Sequence, residues 1–501
     1  MPAGPVLALD TARGRPRTAA VLLPQAPAAS DLEEAGVPVE WRPAIESTVQ
    51  RPEITLAPGD RHVLYPAGPP DRLILAGLGP RDRLDLDAVR RAAAAVTKAC
   101  LGCDVTSVRF YLPRPASVHT TPQELGRALG DGAAAGTVRF NDYRGAAGGD
   151  AKAPGTLKLA VPTPLRTGVE RSLETAAGVA TALRLAATPP NVAHPEYLAT
   201  ACREMAGEVG LKFSEVDHDE AKRLNMGGLL AVGRAGSAPP RVLVLEHPGT
   251  GRRGKPLLLV GKAVTFDTGG VSLKPTASMA GMKYDMCGGA AVLGAMEAVA
   301  RLGVATRVVG LVPCAENLVD TTAYRVDDIL TLCNGVTVEV TNTDAEGRLI
   351  LADALAYGTR LYKPRAVVDL ATLTGGVITA LGDTAAGLFV NDHDLHRRLD
   401  IAAEATGERV WPLPLWDVHR KAMRGNHADL RNSADRKATP IQGAAFLSHF
   451  VGRDAPTAMP TVPWAHLDIA GVATREAASG NGGKDPTAFG VRLLSRFVES
   501  L

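Results

Sequence analysis

Short apolar runs alternate with segments of helical periodicity along the C-terminal two thirds of the chain. The runs that predict strands are 241–246, 256–262, 305–312, 366–373 and 464–469. Apolar residues at helical spacing follow several of them, for example at 290–302 and 349–361. Because strands that alternate with helices pack into one sheet covered on both faces, this pattern predicts an α/β fold.

The N-terminal part of the chain has a weaker pattern of the same kind. Strand-like runs lie at 72–76, 105–112 and 157–161, and an alanine-rich helical segment lies at 87–100. Proline and glycine interrupt the rest, which predicts loops. A long helical pattern then ends at Pro189 and Pro190, since proline cannot continue a helix.

A chain of 501 residues is too long for one ordinary core, so two domains are expected. We predict a smaller α/β domain and a larger domain with a central, mostly parallel or mixed sheet flanked by helices. The predicted bounds are 1–165 for the N-terminal domain, 166–190 for a linker helix and 191–501 for the C-terminal domain.

Composition argues against several classes of protein. The 55 basic and 53 acidic residues nearly balance, which leaves no electrostatic footprint for nucleic acid or an anionic membrane. No apolar run is long enough to cross a bilayer, and the first residues lack the pattern of a secretory signal. Six cysteines in such a chain are expected to be reduced thiols. We therefore expect a soluble, cytoplasmic protein that binds neither membrane nor nucleic acid.

The octapeptide NTDAEGRL at 342–349 concentrates charged residues where a predicted strand passes into a helix. The ends of strands are where α/β sheets place ligand sites, and the two acids Asp344 and Glu346 would suit a hard cation. The same acids could instead be the acidic start of a helix, because carboxylates are favoured at a helix N-terminus.

A second group of charged residues lies upstream, again after a predicted strand. Lys262, Asp267, Lys274 and Asp285 fall in a glycine-rich connection, where glycine lets the backbone approach a ligand closely. Neither a His-Glu-x-x-His nor a Gly-x-Ser-x-Gly motif occurs in the sequence. Metal chemistry through carboxylates and lysine is the hypothesis that remains.

Three segments, GKAVTFDTGG at 261–270, MKYDMCGGAA at 282–291 and NTDAEGRL, resemble signature segments of the leucyl aminopeptidase (cytosol aminopeptidase) family. The segments PPNVAHPEYLA, DLATLTGG, WAHLDIAG and FGVRLL are similar to that family as well. The resemblance implies a two-metal exopeptidase, a hydrolase that cleaves the N-terminal residue from peptides with a free N-terminus. It also implies a homohexamer whose N-terminal domain serves mainly in assembly.

The resemblance further implies a set of metal ligands. Asp267 and Glu346 would contact both of two divalent ions, Lys262 and Asp285 would complete the tighter site, and Asp344 the more exchangeable one. A lysine can act as a ligand only after losing its proton, which two adjacent cations favour. Zinc, manganese, cobalt and magnesium all fit oxygen-plus-amine ligation, and manganese or zinc is the expected ion.

Two residues take catalytic roles by the same resemblance. Lys274 would stay protonated and face the developing oxyanion of the scissile carbonyl. Arg348 would hold a bicarbonate ion that carries a proton from the attacking water to the leaving amine; its alternative is a salt bridge to the neighbouring acids. Two metals can lower the pKa of a shared water to about 7.

The resemblance also places five residues against the substrate: Met282, Asn342, Thr372, Leu373 and Gly375. Apolar lining suits a leucine-like side chain, but one methylene is worth only about 1–3 kcal/mol, so we expect broad selectivity. The sequence departs from the family pattern at Ala263, where glycine is usual, at 326–328, and at 439–444, which lacks the usual small residues of the side-chain pocket.

Two other functions remain open from the sequence. A catalytically silent relative could serve as a scaffold or as a nucleic-acid-binding assembly, although Lys274 and Asp344, whose loss would have supported this, are both present. A phosphate-handling enzyme could use the loop 249–255, which has phosphate-cradling spacing, but Pro256 stands where that loop needs serine or threonine.

Overall fold

The computed structural model describes residues 7–10, 14–113, 120–140, 142, 143, 145, 155–251, 254–452, 460, 462–476 and 483–501. It divides into two compact units, Met1–Ala176 and Ala177–Leu501. Each unit is an α/β structure with its own sheet, and the larger C-terminal sheet is mixed, as predicted. No helix among these residues is long and apolar enough to span a bilayer.

The N-terminal unit contains a six-stranded sheet in the order β1-β6-β5-β2-β4-β3, in which β3 alone pairs antiparallel. Its strands are β1 (Leu7–Leu9), β2 (Thr18–Pro24), β3 (Arg61–Leu64), β4 (Arg72–Gly79), β5 (Ser107–Tyr111) and β6 (Leu157–Ala160). Its helices are α1 (Ala29–Glu34), α2 (Arg42–Val49), α3 (Leu86–Gly102) and α4 (Pro122–Ala135), and α5 (Arg166–Ala187) runs on into the second unit. The predicted strands and the alanine-rich helix are confirmed.

Strand β2 shows why this sheet has two covered faces. All seven of its residues are buried. Ala20 and Leu22 belong to one apolar cluster, while Ala19, Val21 and Leu23 belong to another. Because successive side chains of a strand point to opposite faces, a central strand covered on both sides must be apolar throughout.

The C-terminal unit contains a nine-stranded sheet in the order β16-β15-β18-β14-β9-β11-β8-β7, with β10 pairing with β11. The strands of the unit are β7 (Lys212–Val216), β8 (Arg241–His247), β9 (Leu257–Gly261), β10 (Ala263–Asp267), β11 (Val308–Asn317), β12 (Ile329–Thr331), β13 (Thr337–Glu339), β14 (Ala366–Ala371), β15 (Ala386–Val390), β16 (Val410–Pro412), β17 (Leu430–Arg431), β18 (Trp464–Asp468), β19 (Thr474–Glu476) and β20 (Lys484–Pro486). The central strands β11, β9, β14 and β18 are parallel, whereas β7, β8 and β15 join antiparallel.

Helices cover both faces of this sheet. They are α6 (Pro195–Val209), α7 (His218–Arg223), α8 (Gly227–Val232), α9 (Thr276–Met279), α10 (Cys287–Leu302), α11 (Gly347–Tyr362), α12 (Gly375–Leu381), α13 (His393–Thr406), α14 (Asp417–Ala422), α15 (Thr439–Leu447) and α16 (Val491–Glu499). Leu257 and Leu259 of β9 share an apolar cluster with α10, and Leu258 and Val260 share another with α11. The layered fold predicted from the alternating pattern is therefore confirmed.

The phosphate-loop alternative receives no support from the neighbouring elements. Arg252 and Arg253 of that loop lie outside the described residues. Strand β9 begins just after Pro256, whereas a phosphate-cradling loop must run directly into a helix.

Candidate active site

The candidate ligands lie at the carboxyl end of the central parallel strands. Lys262 stands between β9 and β10, and Asp267 is the last residue of β10. Asp285 comes just before α10, and Asp344 and Glu346 come just before α11. Strand ends and helix starts thus deliver all five side chains from three separate segments to one edge of the sheet, as expected of an α/β ligand site.

Lys262 lies between two of these carboxylates. Its Nζ is 2.8 Å from Asp285 Oδ2 and 2.7 Å from Glu346 Oε1, and only 3% of the residue is exposed. Gly347 leaves room for this lysine, because a Cβ at that position would lie 2.5 Å from Lys262 Nζ. The glycine of the octapeptide is therefore a steric requirement of the site.

Lys274 likewise contacts two carboxylates, those of Asp267 and Asp344. Its Nζ lies 2.7 Å from Asp267 Oδ2 and also contacts Asp344 Oδ1. One carboxylate oxygen from each of Asp267, Asp344 and Glu346 lies within 4.8 Å of the other two. The structure thus brings together all five predicted ligands and the predicted catalytic lysine.

The pKa values in the site follow from burial opposed by close charges. Burial lowers the pKa of Lys262, but Asp285, Glu346 and Asp267 outweigh it and hold the pKa above the ordinary lysine value. Lys274 behaves in the same way. Burial raises the pKa of Asp285 well above its usual value, against the charge of Lys262. Each lysine is therefore a cation held by carboxylates.

This donor set fits divalent cations. Four carboxylates, those of Asp267, Asp285, Asp344 and Glu346, face two ammonium groups, so the cluster retains excess negative charge when all of them are ionised. Three of its oxygens converge in a mostly buried space. Convergent carboxylate oxygens are the ligands that hard divalent ions prefer.

Further residues hold the ligands in place. Asp267 Oδ1 accepts hydrogen bonds from Gly269 N and from Asn317 Nδ2, both at 2.8 Å. Asn317 Nδ2 also donates to Thr343 O at 3.0 Å, and Tyr324 donates to the same carbonyl at 2.7 Å. Asn317 and Tyr324 are not evident from the sequence, because neither belongs to a motif and each meets its partner only in the folded chain.

Arg348 is buried but makes no ion pair with the acids beside it in the described part of the chain. Its Nη1 donates to Asn432 O at 2.7 Å, and its Nε has no hydrogen-bond partner there. Burial lowers the pKa of Arg348 to about 10, although Glu346 and Asp468 oppose this change. The predicted alternative, a salt bridge to neighbouring acids, is thus not formed, and a buried guanidinium with a free N–H suits a small anion.

The predicted substrate residues lie around this cluster with different degrees of contact. Thr372 is closest, since its hydroxyl donates to Asp285 Oδ1 at 2.8 Å and its carbonyl accepts from Lys262 Nζ at 3.0 Å. Asn342 Oδ1 accepts from Asp344 N at 2.9 Å. The other three are partly or fully exposed: Met282 O accepts a hydrogen bond from Asp285 N at 3.3 Å, and Leu373 and Gly375 make no bond to the ligands in the described chain.

The divergent segment 439–444 lies against residues 373–376, which include the predicted substrate residues Leu373 and Gly375. A Cβ at Gly443 would come 2.7 Å from Leu373 Cδ2, and one at Gly376 would come 2.1 Å from Thr439 Oγ1. The two segments are therefore closely packed, so the departure from the family pattern changes the immediate surroundings of Leu373.

Comparisons with known proteins identify the family of the chain. The model of the cytosol aminopeptidase family's catalytic domain matches residues 180–495, and that of its N-terminal domain matches 40–146. A probable cytosol aminopeptidase of Geobacter sulfurreducens is 40% identical over 463 residues, 91% of each chain. One of Syntrophotalea carbinolica is 48% identical over 331 residues, 66% of this chain and 65% of that relative, so this match spans just under two thirds of the relative's length.

A solved structure of similar fold is the bottromycin maturation enzyme BotP in complex with Mn. It has a TM-score of 0.83 and 32% identity, and the match covers 97% of this chain and 99% of that one. Fold and site together define a metal-dependent aminopeptidase, a hydrolase. The chain belongs to the cytosol aminopeptidase family. The family and the class of enzyme predicted from the sequence are thereby confirmed.

Proposed function

We propose that the protein hydrolyses the N-terminal residue of peptides at a centre for two divalent cations, held by Lys262, Asp267, Asp285, Asp344 and Glu346. The observation that carries the proposal is the convergence of four mostly buried carboxylates around two lysines. When bound, the cations would supply Lewis acidity and an activated water. Manganese is one candidate, supported by the manganese complex of the BotP relative, and zinc fits the same donors.

Lys274 would donate to the oxygen that gains charge as the scissile carbonyl is attacked. Asp267, Glu346 and Asp344 raise its pKa, which keeps the proton on this amine at neutral pH. A fixed cationic donor aimed at a developing oxyanion stabilises the transition state more than the ground state. The carboxylates beside Lys274 therefore both orient its Nζ and keep it charged.

Arg348 would hold a bicarbonate ion that passes a proton to the leaving amine. Its unpartnered Nε and its Nη groups form a planar fork, which matches a planar oxyanion. Asn432 fixes the guanidinium through its carbonyl.

The substrate would lie against Met282, Asn342, Thr372, Leu373 and Gly375. We propose a preference for leucine-like N-terminal residues with broad tolerance, because an apolar pocket discriminates weakly among aliphatic side chains. We further propose a cytoplasmic homohexamer in which the domain at 1–165 serves in assembly and the domain at 191–501 carries the chemistry. The free state of all six cysteines agrees with a reducing compartment.

The test is peptide hydrolysis by the purified protein on a panel of N-terminal residues, before and after chelation and with each metal restored. We expect chelation to abolish release of the first residue and Mn²⁺ or Zn²⁺ to restore it. N-acetylated peptides should not be cleaved, because the free amine is blocked. Cleavage of acetylated peptides at a comparable rate would refute the exopeptidase proposal, and inactivity with every metal would favour the scaffold alternative.

A further inference from the structure

The loop between β14 and α12, residues 372–374, is tied to the metal centre at its first residue. Thr372 hydrogen-bonds both to Asp285 Oδ1 and to Lys262 Nζ. The following residues, Leu373 and Thr374, turn away from these ligands toward the end of strand β18. The loop thus needs a second attachment to fix the part that would face the substrate.

Asp468, the last residue of β18, supplies that attachment. Its Oδ1 accepts from Leu373 N at 3.1 Å and from Thr374 N at 3.4 Å, and its Oδ2 accepts from Thr374 Oγ1 at 2.7 Å. A fourth donor, Ala470 N, lies 3.3 Å from Oδ1. Asp468 is fully buried, and three of its four donors belong to the loop.

The sheet fixes the position of this carboxylate. β14 and β18 pair in parallel with Ala371 opposite Asp468, so the loop leaves the sheet directly beside the acid. Two residues earlier on β18, His466 Nδ1 lies 2.5 Å from Asp369 Oδ1, and Trp464 Nε1 donates to Asp369 Oδ2 at 2.6 Å. Cross-strand polar contacts therefore support the strand end that carries Asp468.

Burying a carboxylate is unfavourable unless several donors replace its hydration. At Asp468 most of the donors that replace water come from the loop 372–374. The burial of this charged carboxylate and the conformation of the loop therefore depend on each other. No hydrogen bond joins Asp468 to any of the five proposed ligands in the described chain. Its hydrogen bonds thus act on the loop and not on the ligands, while its charge also raises the pKa of Arg348.

We propose that Asp468 is a positioning residue that holds the loop 372–374 in the conformation that binds substrate. The proposal rests on the proposed function, since it assigns the loop to the substrate side of that site. A loop released from Asp468 would lose its fit to the substrate while the metal ligands keep their own contacts. The expected defect is therefore in KM more than in kcat.

The test compares four variants of the full-length, metal-loaded protein. Asp468→Asn leaves only one acceptor oxygen. Thr374→Val keeps the side-chain shape but removes the hydroxyl, which donates to Asp468 and also accepts from Val377 N at the start of α12. Thr374→Ser keeps the donor and serves as the rescue. Glu408→Gln is the matched control, because Glu408 is also buried and accepts two backbone N–H bonds, from Gly490 and Leu493, but it holds α16.

We expect Asp468→Asn and Thr374→Val to raise KM about tenfold or more, with kcat within about threefold of the wild type and unchanged metal content. Thr374→Ser should have a KM close to that of the wild type. Glu408→Gln should lower the melting temperature without changing KM. Wild-type KM in Thr374→Val would overturn the proposal even if Asp468→Asn fails to fold. A variant that loses both kcat and bound metal would also overturn the proposal, because Asp468 would then act on the metal ligands rather than on the loop.

Hydrogen exchange of the metal-free protein gives a second readout that needs no activity. We expect faster exchange in a peptide spanning 371–377 of Asp468→Asn and Thr374→Val, and unchanged exchange there in Glu408→Gln. Unchanged exchange in the first two variants would refute the anchoring itself. If the wild type cleaves no peptide but the loop loosens as expected, the proposed function fails while the anchoring stands.

Discussion

At the scale of single residues, Lys274 should be the most sensitive position for catalysis. Its Nζ contacts Asp267 and Asp344 without being one of the five proposed ligands. Lys274→Ala should reduce kcat by about 10²–10³, the effect of removing one oxyanion donor, and leave metal content nearly unchanged. The measurement is steady-state kinetics with metal analysis, and Lys222→Ala, at an exposed lysine, is the control. A Lys274→Ala enzyme with normal kcat would remove this residue from the mechanism.

Arg348 should confer a dependence on bicarbonate. Its Nε has no hydrogen-bond partner in the described chain and its Nη1 is fixed by Asn432, so an N–H donor remains for a small planar anion. Wild-type activity in carbonate-free buffer should rise on addition of bicarbonate, whereas Arg348→Ala should be slower and show no such rise. Equal stimulation of both enzymes would show that the anion acts elsewhere.

Prediction from sequence succeeded best for residues that belong to motifs. Asp344 and Glu346 stand together in one octapeptide, so their shared chemistry is visible before folding. Asn317 belongs to no quoted motif, and Asp468 lies in the family-like segment WAHLDIAG but received no role, because their partners are distant in sequence: Leu373 N meets Asp468 across 95 positions. Such contacts depend on strand order and register, which a local pattern does not specify.

At the scale of elements, the start of α11 leaves no space beside Lys262. Gly347→Ala would place a Cβ 2.5 Å from Lys262 Nζ, and that amine is already fixed by Asp285 and Glu346. We expect metal affinity to fall about tenfold or more while the helix content is kept. Gly207→Ala, where a Cβ meets nothing within 4 Å, is the control. Metal titration of both variants decides the matter.

Helix α11 also carries a buried acid that should make stability depend on pH. Burial raises the pKa of Asp353 to about 7, against hydrogen bonds from Leu229 N and Cys333 N. Because the folded-state pKa exceeds the unfolded one, the native state binds more protons, and this group's contribution is lost as the pH rises from about 4 to about 7. The melting temperature of the wild type, relative to Asp353→Asn, should therefore fall over that range and level off above it. A constant difference would contradict the prediction.

Apolar runs predicted the long strands because those strands are covered on both faces. β9 and β14 are almost completely buried, so their sequences are continuous apolar runs. The short strands β12, β19 and β20 were not predicted, since each has only three residues and several of these are exposed. Burial made these long strands visible in the sequence, although β15, which is also almost completely buried, was not predicted.

At the scale of the whole molecule, metal should stabilise one unit and not the other. All five proposed ligands lie within Ala177–Leu501. A ligand present at 100 times its dissociation constant stabilises the native state by about 2.7 kcal/mol, provided that it does not bind the unfolded chain. Hydrogen exchange with and without chelator should therefore change for peptides of the second unit and stay constant in Met1–Ala176. An equal change in both would contradict a centre confined to the second unit.

Chain length and the alternation of strands and helices predicted the two-unit α/β architecture. They did not predict the order of the strands in the sheet. β9 and β14 are neighbours in the sheet although α10, β11 and α11 lie between them in the chain. This neighbourhood places Lys262 beside Thr372. The sequence contains both residues, and only the sheet makes them partners.

The ammonium group of Lys262, held between Asp285 and Glu346, has a consequence for how the protein loads its metal. A cation that takes the nitrogen of this lysine must displace the proton that now sits there. Metal binding then releases the proton of Lys262 into solution. Protons and metal ions therefore compete for the site, and each ion that binds acidifies the medium. In a weakly buffered solution, a pH electrode would follow the loading directly.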